Sequence, residues 1–328
     1  MVCGAYFESQ SKIKIINYII FVNFMIFVIE KTVETFSSFH LIDIDYLFRL
    51  SFWSYFYYDR FFKRSTKSDL MNQIQELSNQ TIETRISKIA RKYITVFIGM
   101  SLFAFVKHYV FFDYEQVIKS RPFLIDNIQL NVKFVHNLWF LFCWYTIDNC
   151  LSLMIYEYLL VFKTITLVKL SLIKSRPTTR IRLKWRQICN LTDDFENQYS
   201  LAPFFKIINS YIGALTYIVW STQTRQVTIN VQFVTAILHF LVLILIDFYL
   251  IITIDKANRN LKAAANKLME VRVTSSSHEL KEFSDDINQS YRFKLTGNGL
   301  FKLEKSLLIG FGASLISFTV LFIQISTM

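Results

Sequence analysis

Apolar runs of bilayer-crossing length recur along this chain, and that recurrence limits its fold more than any single motif. A helix needs about 20 consecutive, mostly apolar residues to cross a membrane. Such runs stand at Ile13–Ile29, Leu41–Phe62, Tyr93–Phe112, Phe134–Phe162, Phe204–Trp220, Val231–Ile254 and Gly299–Met328. Lipid gives an exposed backbone no hydrogen-bond partner, so spanning segments are helices or strands of closed barrels. Runs this long, in a chain of 328 residues with only three prolines and seven glycines, favour helices. The expected fold class is an all-α membrane protein with seven transmembrane helices. Composition agrees: 53% of residues are hydrophobic and 19% charged, against about a quarter charged in soluble domains.

The second run is the weakest, interrupted by Asp43, Asp45, Arg49 and Asp59. Its density of Phe, Tyr and Trp still suits a membrane or its interface. Between the runs, Lys63–Lys92 places Met71, Ile74, Leu77, Ile82, Ile86 and Ile89 at roughly helical spacing, which predicts an amphipathic helix. The fourth run continues into a polar helix over Lys163–Lys174, and Arg176-Pro177 ends it. A basic segment, Arg180–Arg186, approaches the fifth run. The sixth continues as Asp255–Val273, and a short amphipathic stretch, Leu280–Phe293, leads to the seventh. Helices four and six are thus expected to extend out of the bilayer.

Seven spans put the termini on opposite sides, and loop charge decides which is which. Residues 1–14, 63–92, 163–200 and 255–298 hold 25 Lys and Arg together; residues 30–41, 113–133 and 221–230 hold 5. The N-terminus is therefore expected in the cytoplasm and the C-terminus outside, in the plasma membrane. The sequons at Asn79, Asn190 and Asn288 fall inside and are expected to go unused. The net charge of +11 does not suggest nucleic acid, because the cations cluster in loops between apolar runs. Inverted orientation also argues against a G-protein-coupled receptor, and Asp59-Arg60 reads as an ordinary interfacial pair. The first run has no small-residue cleavage site after a short core, so it is expected to be retained. Cys3, Cys143, Cys150 and Cys189 are too few and too scattered for a disulfide framework.

No enzyme motif, phosphate-binding loop or metal-ligand spacing is present, so neither catalytic residue nor metal nor cofactor is expected. Asp148, Glu157 and Asp247 stand inside apolar runs, where each costs roughly 3 kcal/mol at mid-bilayer and must face protein. They serve either a pocket or proton relay, or a buried hydrogen bond to Tyr, Asn or Ser on a neighbouring helix. Trp139, Phe142, Trp144 and Tyr145 on the fourth span, with Tyr211, Tyr217 and Trp220 on the fifth, lie in the outer half of the bundle. Aromatics with polar tips there enclose a small organic ligand or form the interfacial belt.

The last run ends near a single strongly polar side chain, Gln324. Helical steps back from it reach Leu321, Ser317 and Ala313 or Ser314. An amide above an apolar residue, with small polar groups deeper, suits the wall of a gated pore, provided an oligomer closes the ring. The alternative is a glutamine hydrogen-bonded inside a monomeric bundle.

The C-terminal residues resemble the end of insect gustatory receptors. The resemblance rests on Phe283-Ser284, Arg292-Phe293, Thr296-Gly297, Gly299-Leu300-Phe301-Lys302-Leu303 and Ser306-Leu307-Leu308. That family closes with Thr-Tyr, five apolar residues, then Gln-Phe; here stand Ser317-Phe318, Thr319 to Ile323, then Gln324-Ile325. Asn197-Gln198-Tyr199-Ser200 before the fifth span is a looser match. Detailed similarity is confined mainly to residues 280–328, and Thr319 stands where sugar-sensing members carry an acid.

The resemblance implies a tetrameric, ligand-gated and weakly selective cation channel in the insect chemoreceptor superfamily, gated by a small-molecule tastant. It implies that helices four to six all extend into the cytoplasm and that the seventh span lines the pore, with Leu321 and Ile325 as apolar gate, Gln324 as polar ring and Ser317 below. Trp139, Phe142, Tyr145, Tyr217 and Trp220 are the expected ligand contacts. Residues 1–276 would form the ligand-binding bundle and its cytoplasmic anchor, and 277–328 the short helix and the pore helix. Partners would be membrane lipid and related receptors in a homo- or hetero-tetramer. The alternatives are a transporter or membrane enzyme built on the three carboxylates, or a non-conducting partner subunit.

Overall fold

The structure, a computed structural model, describes part of 51–59 and residues 64–111, 132–176, 178–223, 231–274, 278–293 and 295–327. Helices α1 (Arg64–Glu76), α2 (Gln80–Phe111), α3 (Val132–Lys174), α4 (Thr179–Tyr199), α5 (Leu201–Gln223), α6 (Val231–Thr274) and α7 (His278–Ser290) come first. A small hairpin, β1 (Thr296–Gly297) and β2 (Phe301–Lys302), then leads into the last helix, α8 (Lys305–Thr327). Among the described residues no helix is long and apolar enough to cross a membrane. Side chains over 103–111, 132–151 and 219–223, where apolar runs lie, fall outside that set, so the seven spans stand as an expectation from sequence.

The long extensions are present. α3 is one helix of 43 residues and α6 one of 44, each running from an apolar stretch into a polar one. α4 and α5 meet at a single residue, Ser200, whose helical φ of −58° and amide bond to Glu196 O make the joint nearly continuous. Thr178 caps α4 by accepting from the Ile181 amide at 3.3 Å.

Two expectations about helix boundaries are corrected. The amphipathic stretch Lys63–Lys92 is not one helix. It breaks at 77–79, where Ser78 Oγ donates to Gln75 O at 2.8 Å and Asn79 caps α2 by accepting from the Ile82 amide at 2.9 Å. Asn79, a sequon residue, is thus a helix cap, and α2 runs through 92 without interruption into the third apolar run. The seventh run also does not begin its helix at Gly299. Asn298 and Gly299 both have positive φ, 52° and 73°, and Leu300 N bonds Gly297 O at 3.0 Å. Asn-Gly with both φ positive is the preferred centre of a tight hairpin turn. α8 starts six residues later, at Lys305.

The core runs along the C-terminal half of α3. Ile155, Tyr158, Leu159, Phe162, Ile165 and Val168 are buried, together with Trp185, Ile188 and Phe195 from α4 and Leu250, Ile254 and Leu261 from α6. Aromatic contacts tie these layers: Phe162–Phe293 at 4.8 Å, Tyr158–Phe195 at 5.0 Å and Trp185–Phe283 at 6.4 Å between ring centroids. Such pairs add to the stabilisation from their buried area. Asp59, read above as an interfacial partner of Arg60, is instead buried and paired with Lys67 of α1. Arg60 lies outside the described residues.

Candidate functional site

α8 packs on one side only. Tyr211 of α5 meets Phe311 edge-on at 4.7 Å, and its hydroxyl bonds Ser314. Leu307, Leu308, Phe311, Ser314, Leu315 and Thr319 are half-buried on that side. The opposite surface is open: Ile309, Ile316, Val320 and Leu321 are 73, 68, 50 and 48% exposed. Ala313, Ser317, Leu321 and Gln324 all fall on this open surface. Ser317 satisfies its hydroxyl locally, donating to Ala313 O at 2.9 Å.

The structure therefore brings Ser317, Leu321 and Gln324 together on one exposed face and resolves the choice between Ala313 and Ser314. Ser314 belongs to the packed face, because Tyr211 holds it there. Tyr211, expected among the pocket aromatics, is committed to α8 instead. The side chains of Ile325, Trp139, Phe142, Tyr145, Tyr217 and Trp220 lie outside those described, and so does that of Asp148.

A hub just before α8 couples it to the rest of the chain. Glu196 of α4 uses Oε1 to accept from both the amide and the hydroxyl of Thr296, at 2.7 and 2.6 Å. Charge-assisted bonds of this kind are about twice as strong as neutral ones. Burial pushes the Glu196 carboxyl above the usual carboxylate range, against the opposing pull of Thr296. Thr296 Oγ1 accepts in turn from the Gly299 amide at 3.0 Å, which closes the turn. Phe301 stacks on Phe204 of α5 at 6.1 Å. Its ring lies so close to Gly297 that a Cβ there would come within 2.4 Å of it, so any larger residue would have to displace the ring. Asn258 of α6 grips the Phe293 backbone, accepting from its amide at 3.0 Å and donating to its carbonyl at 3.4 Å. Lys305, the first residue of α8, pairs with Asp255 of α6 at 3.0 Å.

Below the hub, α4 and α7 are joined by charge. Arg182 bonds Asp286 at 2.6 Å and also pairs with Glu282; the Asp286 bond first, then the two negative charges, hold its guanidinium even more firmly protonated. Arg186 adds a 3.4 Å contact to Asp286. Lys169 of α3 is buried among aromatic faces, 4.5 Å from the Phe293 centroid and 5.7 Å from that of Trp185, with the Ser290 carbonyl at 3.4 Å. Burial lowers its pKa. Trp185 Nε1 donates to Ser290 Oγ at 3.0 Å.

Two of the three carboxylates singled out from sequence, Asp247 and Glu157, have structural partners. Asp247 forms a buried ion pair with Lys206 of α5 at 2.7 Å, and Lys206 also reaches Ser210 at 2.6 Å. Glu157 accepts from Tyr199 Oη at 3.2 Å. Lys206 is the residue that sequence reasoning missed. Its signal was present: a lone cation in the fifth run, opposite a lone anion in the sixth. Among the described residues no group of His, Cys, Asp and Glu is arranged to hold a metal.

No known family model and no curated protein sequence matches the chain. Its fold is similar to that of the insect olfactory receptor OR5 from Machilis hrabei, solved in complex with eugenol. The likeness has a TM-score of 0.70 at 12% identity and covers 97% of this chain and 91% of that one.

Proposed function

We propose that this chain is a subunit of a ligand-gated, weakly selective cation channel with a chemosensory role. The observation that carries this reading is the whole-length fold likeness to an insect olfactory receptor. The open face of α8 supports it: a helix whose small, apolar and amide side chains point away from its own bundle suits a pore wall shared among copies. In this reading seven helices cross the plasma membrane with the N-terminus inside, and four copies of α8 enclose the pore. Leu321 and Ile325 form the gate, Gln324 the polar ring above it and Ser317 the wall below. A small organic ligand binds among Trp139, Phe142, Tyr145, Tyr217 and Trp220, in the outer half of the bundle.

The C-terminal resemblance narrows the role to gustatory, with a tastant as ligand and the chain itself or related receptors completing the tetramer. The hub at Thr296 then transmits motion from the extensions of α3 to α6 into α8. The transporter or enzyme alternative loses support, since Asp247 is neutralised by Lys206 and Glu157 is engaged by Tyr199.

The test is expression of the full chain at the cell surface, alone and with related receptors, with currents recorded against a panel of small organic compounds that includes eugenol. A compound-evoked, weakly selective cation current is expected. A surface-expressed chain that stays silent in both settings, or one that transports solute without carrying such a current, contradicts the reading.

A further inference from the structure

Three helices bring cations to one level of the molecule, where the neighbouring carboxylates are engaged with other partners. Tyr93 of α2 and Tyr249 of α6 place their hydroxyls 3.4 Å apart. Lys163 of α3 lies against both rings, 5.0 and 5.1 Å from their centroids, and donates from Nζ to Tyr249 Oη at 2.8 Å. Tyr93 is itself stacked on Tyr156 of α3 at 5.6 Å. The ammonium group is thus held in place by aromatic faces and one hydroxyl. A lysine has three N–H donors, so this arrangement leaves donors for an anion.

The surface changes character at this level. Along α2 beyond Tyr93, Ile94, Val96, Ile98 and Leu102 are exposed; along α6 before Tyr249, Leu241, Leu245 and Phe248 are exposed. On the other side of the same level stand the exposed side chains of Lys88, Arg91 and Lys92 on α2 and Lys256 on α6. The two helices run in opposite directions, and the Tyr93–Tyr249 contact aligns their apolar-to-basic boundaries. Among the described residues no carboxylate pairs with Lys163 or with these four. The acids on the neighbouring surfaces are engaged elsewhere: Asp255 with Arg259 and Lys305, Asp247 with Lys206, and Glu157 with Tyr199.

We infer that this level binds the anionic headgroup of an inner-leaflet phospholipid, with Lys163 as the central cation. The inference rests on the membrane reading above. The phosphate accepts from Lys163, and the surrounding cations add attraction of the kind that concentrates acidic lipids at basic juxtamembrane clusters. The acyl chains lie along the exposed residues of α2 and α6. A zwitterionic lipid gains less, because its own cation offsets the field. A free phosphate ester lacks the apolar contact.

The test uses full-length protein in neutral detergent micelles and a fluorescent phosphatidylglycerol, compared with a phosphatidylcholine of the same chains. Tighter binding of phosphatidylglycerol is expected. Lys163→Gln should weaken it about five-fold, the worth of one cation at a membrane surface, and leave phosphatidylcholine unchanged, while Lys163→Arg retains it. Glycerol phosphate should not displace the lipid. Should Lys163→Gln fail to give a monodisperse, helical protein, Lys256→Gln on the exposed face carries the same expectation with a smaller loss. Equal binding of the two lipids, full binding by both Gln variants, or displacement by glycerol phosphate overturns the site. Release of the chain from cell membranes by alkaline carbonate would instead strike the membrane reading, and the micelle measurement stands apart from it.

Discussion

The C-terminal half of α3 and the whole of α8 are both rich in large aliphatic residues, yet the fold treats them in opposite ways. In α3, Ile155, Leu159, Ile165 and Val168 are 0% exposed, in a helix packed against α2, α4, α5 and α6. In α8 no described side chain from Lys305 to Leu321 is buried, and Ile309 and Ile316 stay 73 and 68% exposed. The α3 surface is satisfied within the chain. That of α8 requires lipid or further copies, since exposed apolar surface of this extent marks an interface or a membrane contact. One helix holds the fold and the other is offered to the surroundings, with the Thr296 hub as the joint between them.

This contrast predicts where a substitution changes stability and where it changes only conduction. The largest loss of stability is expected at Lys206→Met, which leaves Asp247 buried without its partner, at a cost of about 3–5 kcal/mol. Pairing it with Asp247→Leu should recover most of that. Lys169→Met, inside the aromatic cage and paired with no buried carboxylate among the described residues, should cost far less. Thermal unfolding in detergent compares the three, and an equal loss at Lys169 would contradict the distinction drawn here.

The joint should be weaker than the core. Glu196→Ala and Thr296→Val are each expected to cost about 1.5–3 kcal/mol, as for hydrogen bonds to a charged group. Their double mutant should be less than additive, because they remove the same contact. Glu196→Gln should be milder than Glu196→Ala, since its amide oxygen still accepts from Thr296. Burial raises the folded pKa of Glu196 above its unfolded value. Its contribution therefore favours the fold at acid pH and is lost as pH rises through the folded value. Glu196→Gln should remove that part of the slope. Additive single mutants would detach the hairpin from α4.

The smallest change in stability belongs to α8. Leu321→Ala should shift unfolding by about 0.5 kcal/mol or less, as at other exposed positions, while raising ligand-independent current. A leak that stays at the parent level in a well-expressed channel would remove Leu321 from the gate.

Much of this was legible in the sequence, for identifiable reasons. The extensions of the fourth and sixth runs follow from a helical period that persists after the apolar content falls. The Gln324 face follows from helical steps alone. What was missed lies where local chemistry is hidden inside a longer pattern. The turn at Asn298-Gly299 sits within an apolar run, and the cap at Asn79 within a helical one. The Lys206–Asp247 pair joins residues distant in sequence, and no periodicity reports such a contact. Tyr211 looked like one aromatic among several until its hydroxyl was found on Ser314.

The central claim, that the open face of α8 lines a water-filled pore, is tested most directly by thiol accessibility. Ser317→Cys, Gln324→Cys and Ile316→Cys would each be exposed to a water-soluble, cationic thiol reagent while current is recorded from the open channel. Ser317→Cys and Gln324→Cys should be modified and lose current, and Ile316→Cys, on the purely apolar part of the exposed surface, should not. Protection of both Ser317→Cys and Gln324→Cys, or equal modification of all three, would contradict the placement of this face in a pore.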